Sequence, residues 1–155
     1  MPFTALFDAD VLHPAGQRDL LIRLAQVGLF RGRWTVRILD EMEQSIIARH
    51  PEHAGKLTRT RDLMCEAVPD CLVTGYEDLI EALTLPDPDD RHVLAAAIRC
   101  GAQVLVTNNQ RDFPQDVALR GCGLRHRDRR MRSPTRVPFM LVGGHGVPST
   151  RTWRR

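Results

Sequence analysis

Several carboxylates of this 155-residue chain stand where a predicted strand ends or a predicted helix begins. Asp8 follows the short apolar run Phe3–Phe7, which is consistent with a central strand. Asp90 stands at a predicted helix start, after Pro86 and Pro88, which cannot lie inside a helix. Carboxylates that converge repel one another and need protons or a cation to hold them together. Oxygen ligands select hard ions such as Mg²⁺ or Mn²⁺, and these ions cleave phosphodiesters by activating water and neutralising developing charge.

Residues 85–114 contain the elements that would bring such groups together. Residues 93–98 are apolar on nearly every side, which predicts a buried helix, and Gly101 ends it. Residues 104–106 predict a short buried strand of a parallel sheet. A helix of about 11 residues and a strand of about five cover roughly the same 16 Å, so the start of the helix and the residues after the strand should meet at one edge. Ligands of open α/β sheets bind at that edge, at the carboxyl ends of the strands.

Strands and helices alternate over the rest of the chain. Hydrophobic periodicity predicts helices over residues 11–27, 35–48, 54–68 and 76–83, and a loop over residues 28–33. Pro14 and Gly16 mark the entry of the first of these helices. On the second of these helices, Thr35 is a plausible N-cap, and Asp40, Glu41 and Glu43 lie off the centre of the apolar face. Periodicity alone does not choose among these three acids. The alternation predicts an α/β layered fold with a parallel sheet.

Composition points to one domain in a reducing, cytosolic setting. The length suffices to bury a core without disulfide or metal staples. The four cysteines form no CxxC pair, and the sequence contains no signal peptide and no apolar run of membrane-spanning length. His50 and His53 are better explained as a solvated loop than as zinc ligands, because no paired cysteines stand nearby.

Charge divides the chain into two regions. Residues 1–119 carry 12 basic and 18 acidic side chains, whereas residues 120–155 carry 10 and 1. We therefore predict a folded domain over residues 1–119 and an Arg-rich, atypical tail over residues 120–155, which shows little apolar periodicity except over residues 137–142. The tail is either a mobile, disordered segment or an electrostatic grip on nucleic-acid phosphates.

Four segments resemble the successive motifs of PIN-domain ribonucleases, in particular the VapC-like toxin components of toxin–antitoxin pairs. They are FDADVL, WTVRILDE, LPDPDDRHVLAAAI and VLVTNNQRDFP, and they cover roughly residues 3 to 115 in the right order and spacing. The resemblance implies a three-layer α/β/α sandwich with a central, mostly parallel sheet. It also implies a cytoplasmic endoribonuclease that depends on Mg²⁺ or Mn²⁺, leaves a 3′-hydroxyl and a 5′-phosphate on its RNA substrate, and is inhibited by a cognate antitoxin. Homodimers are common among such relatives.

The same resemblance assigns the site residues. Asp8 matches the first acid of the family, Glu41 the second and Asp90 the third, which makes the choice that periodicity left open. We assign Asp112 as an outer metal ligand, because this group tends to show asparagine at the position of Asn109 and an aspartate three residues later.

Other polar residues are given supporting roles. Thr107 and Asn109 are expected to orient water or carboxylates, and Asp10, where relatives usually have asparagine, would add charge or an alternative ligand. For Asp87 and Asp89 the preferred interpretation is helix capping.

Two alternatives remain. The opening LFDADVL also fits haloacid-dehalogenase-type phosphatases, but there the strand-end Ser/Thr precedes the lysine and the late acids, whereas Thr107 follows both Lys56 and Asp90. The other alternative is a PIN-like fold that binds RNA or an antitoxin without turnover. The tail favours it, because the Pro-Asp-x-Phe-Leu stretch that usually follows in relatives is absent.

Overall fold

A parallel sheet forms the centre of the protein. The computed structural model describes residues 2–109, 112–113 and 139–141. Neighbouring strands of the sheet are all parallel and stand in the order β2-β1-β3-β4. The strands are β1 (Phe3–Phe7), β2 (Phe30–Arg33), β3 (Val104–Thr107) and β4 (Phe139–Leu141).

Helices connect and cover these strands. The second helix contacts β2, the first contacts β3, and the fifth packs against the sixth. The protein is thus an α/β sandwich, as predicted. The helices in the described part of the chain are α1 (Ala9–Leu12), α2 (Ala15–Gln26), α3 (Val36–Arg49), α4 (Ala54–Ala67), α5 (Glu77–Ile80) and α6 (Arg91–Arg99), and one-turn 3-10 segments, Pro51–His53 and Pro88–Asp90, precede α4 and α6.

The core lies around the two central strands and α6. All four residues of β3 and the last three of β1 are buried, because each of these strands has a neighbour on both sides. Complete burial of a side chain such as Phe7 or Leu6 stabilises the fold by about 1.5–3 kcal/mol. Helix α6 buries six consecutive residues, from His92 to Ala97, and Gly101 with φ 61° follows its end. The predicted buried helix and strand are confirmed.

The loop prediction for residues 28–33 is wrong, because Phe30–Arg33 forms β2 and pairs in parallel with β1. The segment Phe-Arg-Gly-Arg has the composition of an exposed loop. Its pairing depends on a tertiary contact: Gly32 is opposite Ala5, and a Cβ on Gly32 would lie 3.1 Å from the ring of Phe7. Glycine therefore lets the edge strand approach the aromatic core.

Two of the predicted helices have different bounds. The helix predicted over residues 11–27 is α2, which begins at the predicted entry beside Pro14, and the residues before Pro14 form the separate short helix α1 because Pro14 lacks an N–H. The helix predicted over residues 76–83 is the single turn of α5. The predicted cap of α3 is confirmed, since the Thr35 hydroxyl accepts a hydrogen bond from Ile38 N at 3.0 Å.

The C-terminal region contributes one strand. Strand β4 comes from within the apolar residues 137–142 and pairs with β3, Met140 opposite Val106. The other tail predictions lie outside the described residues, and the domain boundary at residue 119 stays a prediction. The helices of the described segments include none that is long and apolar enough to cross a membrane.

Candidate active site

The carboxyl ends of β1 and β3 lie side by side. Phe7 is opposite Val106, and the backbone N–H of Asp8 donates to the Val106 carbonyl at 3.0 Å. Asp8 therefore leaves β1 next to Thr107, the last residue of β3. Its carboxylate also caps α1, because Oδ1 accepts from Ala9 N at 2.7 Å. The predicted convergence at this edge of the sheet is present.

A buried threonine hydroxyl joins two of the acids. Thr107 Oγ1 lies 2.8 Å from Asp8 Oδ2 and 3.2 Å from Asp10 Oδ2, and it accepts a hydrogen bond from Asn109 N at 3.0 Å. The hydroxyl has one hydrogen, so it can donate to only one of these carboxylates at a time. Thr107 thus contacts the carboxylates of Asp8 and Asp10, and its role at a metal site stays a prediction.

Asp10 is held firmly on one oxygen only. Its Oδ2 accepts from Asn108 N at 2.8 Å, whereas its buried Oδ1 has no hydrogen-bond partner among the residues that the structure describes. Burial and then the negative charge of Asp8 raise the pKa of Asp10 to about 6. An unpaired buried carboxylate oxygen is costly, and a bound cation would satisfy it.

The second group of acids surrounds Asn109. The Asn109 amide Nδ2 donates to Asp90 Oδ2 at 3.1 Å and to Asp112 Oδ2. Carboxylate oxygens of Asp90, Asp112 and Asp87 all lie within 4.8 Å of one another. Asp87 does act as a cap, since its Oδ1 accepts from Asp89 N at 2.9 Å. Its place beside Asp90 was missed, although the i, i+3 spacing in a helical turn was a signal for it.

Glu41 reaches the site from α3. Its Oε1 lies 2.9 Å from His92 Nε2 and 3.3 Å from Arg37 Nε. Partial burial raises the pKa of Glu41. The approach of His92, together with Arg37, lowers the pKa by more than burial raises it, so the net pKa of Glu41 lies below its ordinary value. Glu41 is therefore an anion at neutral pH.

Asp8 and Asp90 have the opposite electrostatics. Burial, and to a lesser degree the charge of Glu41, raises the pKa of Asp8. Burial followed by the charges of Asp8, Asp87 and Asp112 raises the pKa of Asp90 to about 7. Without a cation the site thus favours protons on part of its carboxylates, because the charges repel.

This donor set fits a hard divalent cation. The converging groups are carboxylates, the ligands that Mg²⁺ and Mn²⁺ prefer. A bound cation would offset the repulsion between these carboxylates and would contact the unpaired Oδ1 of Asp10. The four predicted ligands do not form one tight group: Asp90 and Asp112 lie in the cluster with Asp87, and Asp8 and Glu41 lie outside it. The assignment of all four to a metal stays a prediction.

The sequence matches the PIN domain family over residues 4–111. The chain belongs to the PIN-domain family. This confirms the family predicted from the four motifs, and it removes the basis for the dehalogenase-type alternative. The matched residues include β1, β3 and the acids Asp8, Glu41 and Asp90.

The PIN domain is also similar to a curated protein of Mycobacterium tuberculosis named "Putative ribonuclease VapC50". The two are 55% identical over 42 residues, which is 27% of this chain and 24% of the relative. The match therefore spans about a quarter of the length of that relative. No solved structure gives a significant match to the chain.

Proposed function

We propose that this PIN domain is a metal-dependent endoribonuclease, the toxin component of a toxin–antitoxin pair. The observation that carries the proposal is the set of repelling carboxylates at the carboxyl edge of the sheet, where the pKa of Asp90 rises to about 7. Such a set is unfavourable unless it binds protons or cations, and carboxylates with raised pKa values that converge at one edge are typical of a functional site. The ribonuclease name of the mycobacterial relative and the motif resemblance support RNA as the substrate.

Asp8, Glu41, Asp90 and Asp112 would hold Mg²⁺ or Mn²⁺, with Asp87 beside them. A divalent ion supplies a Lewis acid that lowers the pKa of a bound water and neutralises charge developing on the phosphate. The chain itself supplies orientation. The Thr107 hydroxyl holds Asp8, and the Asn109 amide holds Asp90 and Asp112, so the carboxylates need not reorganise when a cation binds.

Arg37 is placed to contact the substrate. Its guanidinium is half exposed and lies 3.3 Å from Glu41, at the border between the acids and solvent. An RNA phosphate approaching an acidic site is repelled, and an arginine at the rim offers it a fork of donors. We assign Arg37 to binding of a phosphate next to the scissile bond.

The proposal is tested by a time course of RNA cleavage with Mg²⁺, with Mn²⁺ and with EDTA. The Asp8→Asn variant should be inactive because it removes a charged ligand but keeps the shape of the side chain. The matched control is Asp62→Asn, an exposed acid on α4 outside the site, which should retain full activity. Cleavage that survives in Asp8→Asn, or that persists in EDTA, would contradict the proposal.

The toxin role is tested separately in cells. Expression of the wild-type chain should arrest growth, expression of Asp8→Asn should not, and a cognate antitoxin should relieve the arrest. If folded wild-type protein cleaves no RNA with either metal, the chain is better described as a PIN-like protein that binds RNA or an antitoxin without turnover.

A further inference from the structure

A buried histidine lies behind the acidic edge. His92 is the second residue of α6, two positions after Asp90, and its side chain is 1% exposed. The rest of the buried run on α6 is apolar, from Val93 to Ala97. A polar ring in such surroundings is costly unless it makes a hydrogen bond, so the partner of His92 should indicate its role.

The polar group that the ring approaches is Glu41, but the two are not aligned for a hydrogen bond, and both ring nitrogens of His92 lack a hydrogen-bond partner among the described residues. His92 Nε2 lies 2.9 Å from Glu41 Oε1, and Arg37 Nε approaches the same oxygen at 3.3 Å. Among the described residues, none hydrogen-bonds the other oxygen, Oε2. One oxygen of the carboxylate is therefore held by the protein and the other is left for a ligand.

Of the two donors, His92 is the one that can fix the carboxylate. A free glutamate side chain has several rotamers, and restricting them costs up to about 2 kcal/mol. Arg37 is about half exposed and is screened by solvent, so it holds Glu41 weakly. The imidazole is locked by the packing of α6, and a hydrogen bond that it formed to the carboxylate there would be stronger than one at the surface.

We propose that His92 is a positioning residue: when a divalent cation binds to Glu41 of the proposed nuclease, the contact at 2.9 Å aligns, and Nε2–H donates to Oε1 so that Oε2 faces the cation. The proposal rests on the proposed function, since it needs Glu41 to be a metal ligand. His92 itself does not touch the cation or the substrate. Its loss should therefore weaken metal binding about 10–100-fold, the range typical of groups that orient metal ligands.

Two amide variants separate the hydrogen bond from the burial of a polar ring. In His92→Gln the amide nitrogen can occupy the place of the imidazole Nε2 and donate to Glu41. In His92→Asn the shorter amide reaches only the place of Nδ1. Both are neutral, polar and smaller than histidine, so a merely structural role would be disturbed by both.

The first measurement is the dissociation constant for Mn²⁺ by calorimetry, with RNA cleavage as a second readout. We expect His92→Gln to stay within about threefold of wild type and His92→Asn to lose 10–100-fold. In a Glu41→Gln background, His92→Asn should cause no further loss. Equal affinity of His92→Asn and wild type, or equal losses in both amide variants, would overturn the proposal.

A measurement on the wild-type protein does not depend on variants that fold. Long-range ¹H–¹⁵N spectra should show the His92 hydrogen on Nε2 when Mg²⁺ is bound, and a bare Nε2 in that state would contradict the proposal. The two proposals fail differently. Wild-type protein that binds no Mn²⁺ overturns the proposed function and this inference with it, whereas normal Mn²⁺ binding in folded His92→Asn overturns only the inference.

Discussion

The Thr107→Val substitution removes the hydroxyl that contacts Asp8 and the backbone N–H of Asn109, and it keeps the branched shape of the side chain. The hydroxyl is fully buried and lies 2.8 Å from Asp8 Oδ2. A hydrogen bond to a charged group contributes about 1.5–3 kcal/mol, and the Asn109 N–H also loses its acceptor, which adds roughly 1 kcal/mol. We expect the free energy of unfolding to fall by about 2–4 kcal/mol at pH 8.

The assay is urea unfolding in EDTA, followed by circular dichroism and fitted with a common slope. The matched control is Thr107→Ser, which keeps the hydroxyl and removes one buried methyl, at a cost of about 0.8 kcal/mol. Because Thr107→Val keeps that methyl, a loss in Thr107→Val no larger than the loss in Thr107→Ser would contradict the strength assigned to the hydrogen bonds of the hydroxyl. A Thr107→Val protein as stable as wild type would refute the argument that this hydroxyl holds Asp8.

The remaining predictions concern pH, substrate and thiol chemistry. Because the pKa of Asp90 is raised to about 7 in the folded protein, the folded state binds the proton more tightly than the unfolded state, and stability should fall as pH rises from about 4 to 7. In metal-free protein the contribution of Asp90 to this loss should be of order 1 kcal/mol after allowance for solvent screening, and Asp90→Asn should reduce the loss by that amount in thermal scans at pH 5.5 and 7.5. Arg37→Ala should raise the KM for RNA several-fold and change kcat less, and an unchanged KM would argue against a phosphate contact. Burial and neighbouring Cys65 raise the pKa of the Cys71 thiol to about 12, so peptide mass spectrometry should find Cys71 unmodified by iodoacetamide at pH 8 until urea unfolds the protein. Rapid labelling of folded protein at Cys71 would contradict this.

The sequence predicts those parts of the fold and site that depend on local pattern. The apolar runs that become β1, β3 and α6 are long enough to be recognised, and the parallel arrangement follows from their alternation. Parallel strands that end at one edge of the sheet bring Asp8 beside Thr107, although the two residues are 99 positions apart in the chain. The convergence of these groups at one edge was therefore predictable.

Features that depend on distant contacts were not predictable. Strand β2 was missed because its glycine and arginines favour a loop, and only the fit of Gly32 against Phe7 makes it a strand. Periodicity on α3 could not select Glu41, because Asp40 and Glu43 lie equally off the apolar face. The role of His92 had no local signal, since its partner Glu41 is on another helix.

The sequence separation within the site has a consequence for protein synthesis. The bond between Asp8 and Thr107 closes almost the whole described chain, so the acids cannot converge until β3 has been made and has paired with β1. At about 5–20 residues per second, the ribosome needs roughly 5–20 s to extend the chain from Asp8 to Thr107. Throughout that interval Asp8 lies apart from the groups that it contacts in the folded protein. A proposed toxin built this way is inactive until β3 has been made, which gives a cell time to supply an inhibitor.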